Sequence, residues 1–349
     1  MSIIEHRERI GVVGAGGWGT TLSIVAARAG HDVTLHVRDP AAAKRIDASR
    51  RNDPYLSGVV LPETVQISSD LDAVCRGAAL ILLVVPSQTV RQNARALAPF
   101  AEGAIVVSAA KGLERGSLKR MTEVIREELP PASAARVCAL SGPTLAAEVA
   151  AGKPATAVIS GTDHAAMERA RDLLIGPRFR CYTNGDVVGV EMGGALKNII
   201  AIGAGMADGL DAGDNAKAAF LTRGIAEIAR LGVVRGADPL TFAGLTGLGD
   251  LVATCASPLS RNRRVGQQLA EGQTLADIQA RMTQVAEGIF TTEAARELGR
   301  RAQVELPITE QMYAVLFEQK SPLAAIEDLM QREPRDELEG LRGIAQTSM

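Results

Sequence analysis

The chain has 349 residues, too many for one ordinary core, so two domains are expected. Apolar residues make up 46% but aromatics only 3%, so packing must rest on alanine and aliphatics, with 35 glycines marking close backbone approaches. A net charge of −2 argues against a nucleic-acid partner or an anionic membrane surface, and any anionic ligand must be met by a local cationic cluster.

Residues 1–9 are polar and charged, without the apolar run of a signal peptide. Apolar runs such as 78–85 fall short of the roughly 20 residues that span a bilayer, so no membrane insertion is expected. Cys75, Cys138, Cys181 and Cys255 are widely spaced and read as reduced, mostly buried thiols of a cytoplasmic protein.

The first half alternates β-branched runs with helical patterns, the signature of a parallel sheet with crossover helices. Strands are predicted at 9–13, 33–37, 79–85, 104–108, 136–140, 155–160 and 178–182. Helices fall between them, for example at 17–29, 88–98 and 118–128. The run Ile81-Leu82-Leu83-Val84-Val85 is apolar on both faces, as a strand covered by helices on both sides should be.

Directly after the first strand comes Gly14-Ala15-Gly16-Gly17-Trp18-Gly19. A glycine pattern that follows a strand and opens a helix is a dinucleotide-binding fingerprint. Gly14 permits the tight turn, Gly16 lets a diphosphate approach, and Gly19 lets the helix pack closely, while the helix N-terminus holds the anion. The second strand ends in Val37-Arg38-Asp39. An arginine there suits the 2′-phosphate of NADPH and an acid suits the ribose of NADH. NADPH is the preferred reading, and Asp39 leaves NADH open.

Lys111-Gly112-Leu113-Glu114 and Ser141-Gly142-Pro143-Thr144 each follow a predicted strand, where open α/β sheets bind ligands. Lys111 is either a substrate-facing cation or a surface lysine. Thr144 is either a ligand contact or a plain helix N-cap.

After about Asp186 the strand signal stops, and 187–210, 217–235, 260–271, 291–302 and 309–317 read as helices. The most informative stretch is Glu191-Met192-Gly193-Gly194-Ala195-Leu196-Lys197-Asn198. It sets one ammonium in a helix of glycines and aliphatics. Desolvation favours its neutral form, which suits it to proton exchange as a carbonyl is reduced. Asp250 is read as a partner that holds it. In Ser260-Arg261-Asn262-Arg263-Arg264 the arginines suit phosphate recognition or simply form a solvated helix face. His6, His31, His36 and His164 sit in ordinary settings, and no zinc-type cluster is present, so no metal is expected.

In order, these motifs together closely resemble the NAD(P)-dependent glycerol-3-phosphate dehydrogenase family of bacterial type. The resemblance also takes in Asp208-Gly209-Leu210, Gly213-Asp214-Asn215-Ala216-Lys217 and Gly244-Leu245-Thr246-Gly247-Leu248-Gly249-Asp250, and runs from Ile10 to about Leu329. It implies a Rossmann-like α/β domain over 8–186 and an all-α domain over 187–332 of the 6-phosphogluconate dehydrogenase C-terminal type; the charged residues of 333–349 are read separately as a flexible tail. The implied activity is reduction of dihydroxyacetone phosphate to sn-glycerol 3-phosphate with NAD(P)H, for phospholipid synthesis, by a homodimer.

By the same resemblance Lys197 exchanges the proton and Lys111 is a second active-site lysine, with Asp250 and Thr254 beside them. Lys111, Gly142, Thr144, Lys197, Asp250, Ser260, Arg261 and Asn262 would touch the substrate. The cofactor would be touched by Gly14, Gly16, Gly17, Trp18, Gly19, Arg38, Lys111, Ala146, Arg261, Val285 and Glu287. One departure is Gly17, where the family commonly has serine; the backbone N–H is kept. Two rivals are a reductase of carboxylate ketones, since arginine also takes a carboxylate, and a non-catalytic NADP-sensing module of the same fold.

Overall fold

The structure is a computed structural model that describes residues 7–334 and 336. His6 and most of the 333–349 tail lie outside the described residues. The chain forms two compact units: residues up to Lys111 with Lys119–Val187, and Gly112–Leu118 with the residues from Val188 onward.

The first unit runs β1 (Arg9–Val13), α1 (Gly17–Arg28), β2 (Asp32–His36), α2 (Pro40–Ser49), β3 (Val65–Ser68), α3 (Leu71–Cys75), β4 (Leu80–Leu83) and α4 (Val90–Leu97). It continues with β5 (Ile105–Ser108), α5 (Met121–Glu128), α6 (Pro131–Ala134), β6 (Cys138–Ser141), α7 (Ala146–Ala150), β7 (Ala155–Gly161), α8 (His164–Leu174) and β8 (Phe179–Asn184). The sheet order is β3-β2-β1-β4-β5-β6-β7-β8. The order reverses between β1 and β4, where an open sheet leaves a crevice at its strand C-termini.

β4 and β5 are buried along their whole length, the consequence of aliphatic runs with helices on both sides. Two features correct the sequence reading. β3 (Val-Gln-Ile-Ser) was not predicted, because an edge strand needs apolar residues on one face only and its polar half hides the signal. The sheet is also not wholly parallel, since β6 and β7 pair antiparallel. The 142–154 connection carries only the five-residue α7, too short to span the sheet for a parallel return, so the chain turns back beside β6.

The second unit is helical: α9 (Val187–Gly209), α10 (Asp214–Val234), α11 (Asp250–Ala256), α12 (Arg261–Ala270), α13 (Leu275–Arg281), α14 (Glu287–Ala302), α15 (Pro307–Phe317) and α16 (Pro322–Met330). The 112–118 excursion joins it, with Leu113 and Leu118 buried in its core and Arg115 paired to Glu293 at 2.6 Å. By length and composition α9 alone, among the described residues, would cross a membrane. Its apolar stretch is 94% buried within the fold, so it is a core helix.

Glycines set how close α9 and α12 come. A Cβ on Gly205 would run into the Arg263 carbonyl, and one on Gly266 into the Ile202 carbonyl, so the two backbones meet directly. α15 has no side-chain cap of its own. The buried Glu227 of α10 supplies it, accepting from the N–H groups of Ile308 and Thr309, both at 2.8 Å, and from Thr309 Oγ1 at 2.6 Å.

All four cysteines are free and buried, and burial pushes each thiol up to about 12. A thiol that stays protonated and shielded is a poor nucleophile. The native protein should therefore give essentially no reaction with Ellman's reagent at pH 8, and all four thiols should titrate once it is unfolded in guanidinium. Rapid labelling of even one native thiol would contradict this burial.

Candidate active site

In the first unit the glycine-rich turn joins β1 to α1. Gly14 sits at φ 112, and a Cβ there would collide with the Val84 carbonyl of the neighbouring strand end. Gly19 is required by the turn itself, since a Cβ would strike the Gly14 carbonyl oxygen. Around Gly16 a Cβ would meet nothing within 4 Å, so that face of the turn is open. Gly16 is also the N-cap of α1, and no side chain satisfies the helix terminus. An uncapped terminus with an open glycine face has the donor set and dipole that a diphosphate needs. Trp18 adds a buried Nε1 donor with no protein acceptor. This cradle fits a dinucleotide.

At the end of β2, Arg38 and Asp39 differ in what they bond. Asp39 caps α2, its Oδ1 accepting from the Ala41 N–H at 3.0 Å, whereas Arg38 is exposed. One carboxylate oxygen of Asp39 is thus engaged in starting α2, while both side chains reach solvent.

At the ends of β5 and β6, Lys111 Nζ donates to the Gly142 carbonyl at 2.9 Å and Thr144 Oγ1 donates to the same oxygen at 3.2 Å. Lys111 is therefore not a loose surface cation, and Thr144 is not the cap of α7, whose N-cap is Leu145. Gly142 has φ 131 and a Cβ there would lie 3.1 Å from Ala157 Cα, so glycine is needed at this crossing. Ala146 opens α7 and is tied to α1 through its carbonyl, which accepts from Thr21 Oγ1 at 3.1 Å.

The helical unit holds the most unusual chemistry. Lys197 is 5% exposed in α9, and its ammonium pairs with Asp250, 1% exposed, and donates to Thr254 Oγ1 at 2.6 Å. Thr254 in turn donates to Asp250 at 3.2 Å. Asp250 and Thr254 are one turn apart on α11, so a single helix face presents both. A π-helical turn, Leu245–Gly249, leads straight into Asp250, and Gly193 on α9 lies against it: a Cβ there would be 2.6 Å from the Thr246 carbonyl. That close approach is how an aspartate on one helix reaches an amine buried in another.

The 260–264 run divides as a helix must. Ser260 caps α12, accepting from the Arg263 N–H at 3.3 Å. Arg261 reaches the Val285 carbonyl at 2.6 Å, beside Glu287, so the three residues expected near the cofactor from this unit share one place. Arg263 turns away to Asp208 at 2.6 Å, where Lys217 also pairs at 2.7 Å, and Arg264 is exposed. Asn262 is buried with both ends of its amide used: it donates to Asn198 Oδ1 at 2.9 Å and accepts from the Gly288 N–H at 3.0 Å. It caps α14 and ties the start of α12 to the residue beside Lys197. This link was absent from the sequence reading, because neither the Asn198–Asn262 separation nor the Gly288 donor leaves a local pattern.

Residues 9–167 match the NAD-dependent glycerol-3-phosphate dehydrogenase N-terminus, and residues 186–327 match the C-terminus of the same family. The chain belongs to the NAD-dependent glycerol-3-phosphate dehydrogenase family. A Chlorobium luteolum protein named glycerol-3-phosphate dehydrogenase NAD(P)+ is 48% identical over 94% of this chain and 99% of its own. A protein of the same name from Desulfitobacterium hafniense is 48% identical over 97% of this chain and 95% of its own. The crystal structure of glycerol-3-phosphate dehydrogenase from Coxiella burnetii superposes with a TM-score of 0.88 at 37% identity, covering 93% of this chain and 99% of that one. The Rossmann-like sheet and the helical C-terminal unit are thus those of the glycerol-3-phosphate dehydrogenases.

Removing one member of a buried ion pair leaves the other charge unmet, which typically costs about 3–5 kcal/mol. Asp250→Asn should therefore lower unfolding free energy by about that much in calorimetry, and Lys197→Met combined with Asp250→Leu should recover most of it. A loss under about 1 kcal/mol would mean that the ammonium is hydrated rather than held by Asp250.

Proposed function

We propose that this chain reduces dihydroxyacetone phosphate to sn-glycerol 3-phosphate with NADPH or NADH, reversibly, and so supplies glycerophospholipid synthesis. The observation that carries the reading is the buried Lys197 ammonium, held by Asp250 and Thr254 in a helix otherwise built of glycine and aliphatics.

Gly14, Gly16, Gly17, Trp18 and Gly19 would hold the diphosphate side of the dinucleotide, Arg38 its 2′-phosphate, and Ala146, Lys111, Arg261, Val285 and Glu287 the remainder. The capping role of Asp39 favours NADPH over NADH. When bound, the dihydronicotinamide supplies a hydride to a carbonyl carbon.

Lys197 provides the matching proton. As C2 of the ketone gains the hydride, its oxygen gains negative charge, and Nζ both stabilises that charge and passes one proton to it. Asp250 keeps the amine charged and aligned beforehand, and Thr254 fixes its direction. The substrate phosphate is assigned to Ser260, Arg261 and Asn262 at the start of α12, with the helix dipole adding to the guanidinium. Asn262 has one amide hydrogen left for this after bonding Asn198, so Arg261 bears most of the load. Gly142, Thr144 and Lys111 are assigned to the carbon end of the substrate. Holding the remote phosphate orients C2, which is how non-reacting contacts raise the rate.

The proposal extends to a homodimer in the cytoplasm. Four unpaired buried cysteines suit a reducing compartment, and the homodimer is carried over from the family resemblance. Sedimentation velocity at micromolar concentration tests the assembly.

The direct test is NADPH and NADH oxidation by pure protein with dihydroxyacetone phosphate, set against carboxylate ketones. Activity confined to the carboxylate ketones would overturn the substrate. Lys197→Ala should cut kcat by about 10²–10⁴-fold while NADPH binding is largely retained, and near-normal turnover would remove the mechanism. Arg261→Ala should raise KM for dihydroxyacetone phosphate by about 10–100-fold, and an unchanged KM would refute the phosphate assignment.

A further inference from the structure

Between α2 and β3 the chain makes an excursion, residues 50–61, that no periodicity announced. It is firmly built. Arg50 adopts the left-handed region at φ 54, and its guanidinium donates to the Pro62 and Val65 carbonyls at 2.5 and 2.6 Å. The Arg50 carbonyl accepts from the Leu61 N–H at 2.8 Å, and Arg51 pairs with Val60. Leu56 and Leu61 are buried in the core of the first unit.

This construction delivers one polar side chain to the glycine-rich turn. Asn52 is 3% exposed, and its Nδ2 donates to the Ala15 carbonyl and to Thr20 Oγ1, each at 2.8 Å. Its own carbonyl is turned into the excursion, accepting from the Tyr55 and Leu56 N–H groups at 3.0 and 2.8 Å. Both amide hydrogens are thus spent on the two ends of the turn, one before Gly16 and one in the first turn of α1.

The consequence follows from peptide geometry. The Ala15 carbonyl and the Gly16 N–H share one planar trans peptide and point in opposite directions. Pinning the carbonyl to Asn52 therefore drives the Gly16 N–H away from it. Asn52→Thr20 bonding also holds the uncapped first turn of α1 in register with that peptide. We propose that Asn52 is a positioning residue for the cofactor diphosphate: it fixes the turn so that the backbone donors are already arranged when the dinucleotide arrives. This rests on the reading that the turn holds the diphosphate.

The test is Asn52→Leu, of similar size but without donors, with folding checked by circular dichroism and thermal melting. Affinities are measured calorimetrically for NADPH and for adenosine 2′-monophosphate, which carries the 2′-phosphate but no diphosphate. The expected result is an NADPH Kd raised about tenfold or more, with the adenosine 2′-monophosphate Kd changed less than twofold. In turnover the loss should fall on KM for NADPH far more than on kcat. Equal NADPH affinity in variant and wild type overturns the inference, as does an equal loss for both ligands, which would indicate general loosening of the unit. If Asn52→Leu fails to fold, Thr20→Ala removes one acceptor only, and an unchanged NADPH Kd there overturns it. Wild-type protein that binds neither ligand defeats the cofactor reading, and this inference with it.

Discussion

A buried ammonium and a buried carboxylate, Lys197 and Asp250, are the constraint around which the helical unit is built. Neither charge is tolerable alone away from water, and their attraction offsets the desolvation only if the two helices bring them together accurately. The glycine at 193, the π-helical turn over 245–249 and the hydroxyl of Thr254 all serve that accuracy. Replacing a buried ion pair by apolar residues of similar volume is often close to neutral for stability, so the pair by itself is weak evidence of a stabilising role. The amine that results is shielded from water and held in direction by Asp250 and Thr254, which a surface lysine is not.

The first unit solves a different problem with almost no side chains. Its glycines let a strand end, a turn and a helix start approach within the space of a backbone, and the N-terminus of α1, which no side chain caps, presents N–H groups and a partial positive charge. Backbone donors are fixed in number and direction only if the peptide planes are fixed. Bonds such as those from Asn52 to the turn and from Thr21 of α1 to Ala146 supply that rigidity. The same economy operates at α12 and α14, where the one amide of Asn262 serves two helices at once.

The core strands, the fingerprint turn, the lysine helix and the arginine run were all legible, because each is a local pattern: period, spacing, or a charge out of place. The edge strand β3 was not, since a half-exposed strand with Gln66 and Ser68 looks like a loop. Nor was the antiparallel return of β7, which depends on the length of α7 and not on anything in β7 itself. Within the site, Asp250 was assigned to Lys197 by residue type alone, and the structure supplies the contact. The direction of each arginine was illegible. Residues 261, 263 and 264 look alike in a string, and only the helix turn sends Arg261 to Val285 and Arg263 to Asp208.

The amino-acid sequence by itself determined the class of each unit, the glycine-rich turn between β1 and α1 and the presence of one lysine within an apolar helix, because these depend on neighbours within a few residues or on one period of a helix. Tertiary structure alone decided which polar groups are spent on folding. Asp39 became a helix cap, Asn262 a strut, Asn52 a clamp and the 112–118 segment a part of the helical unit. The reason is that a hydrogen bond between residues dozens of positions apart depends on where two backbones meet, and that is set by packing far from either residue.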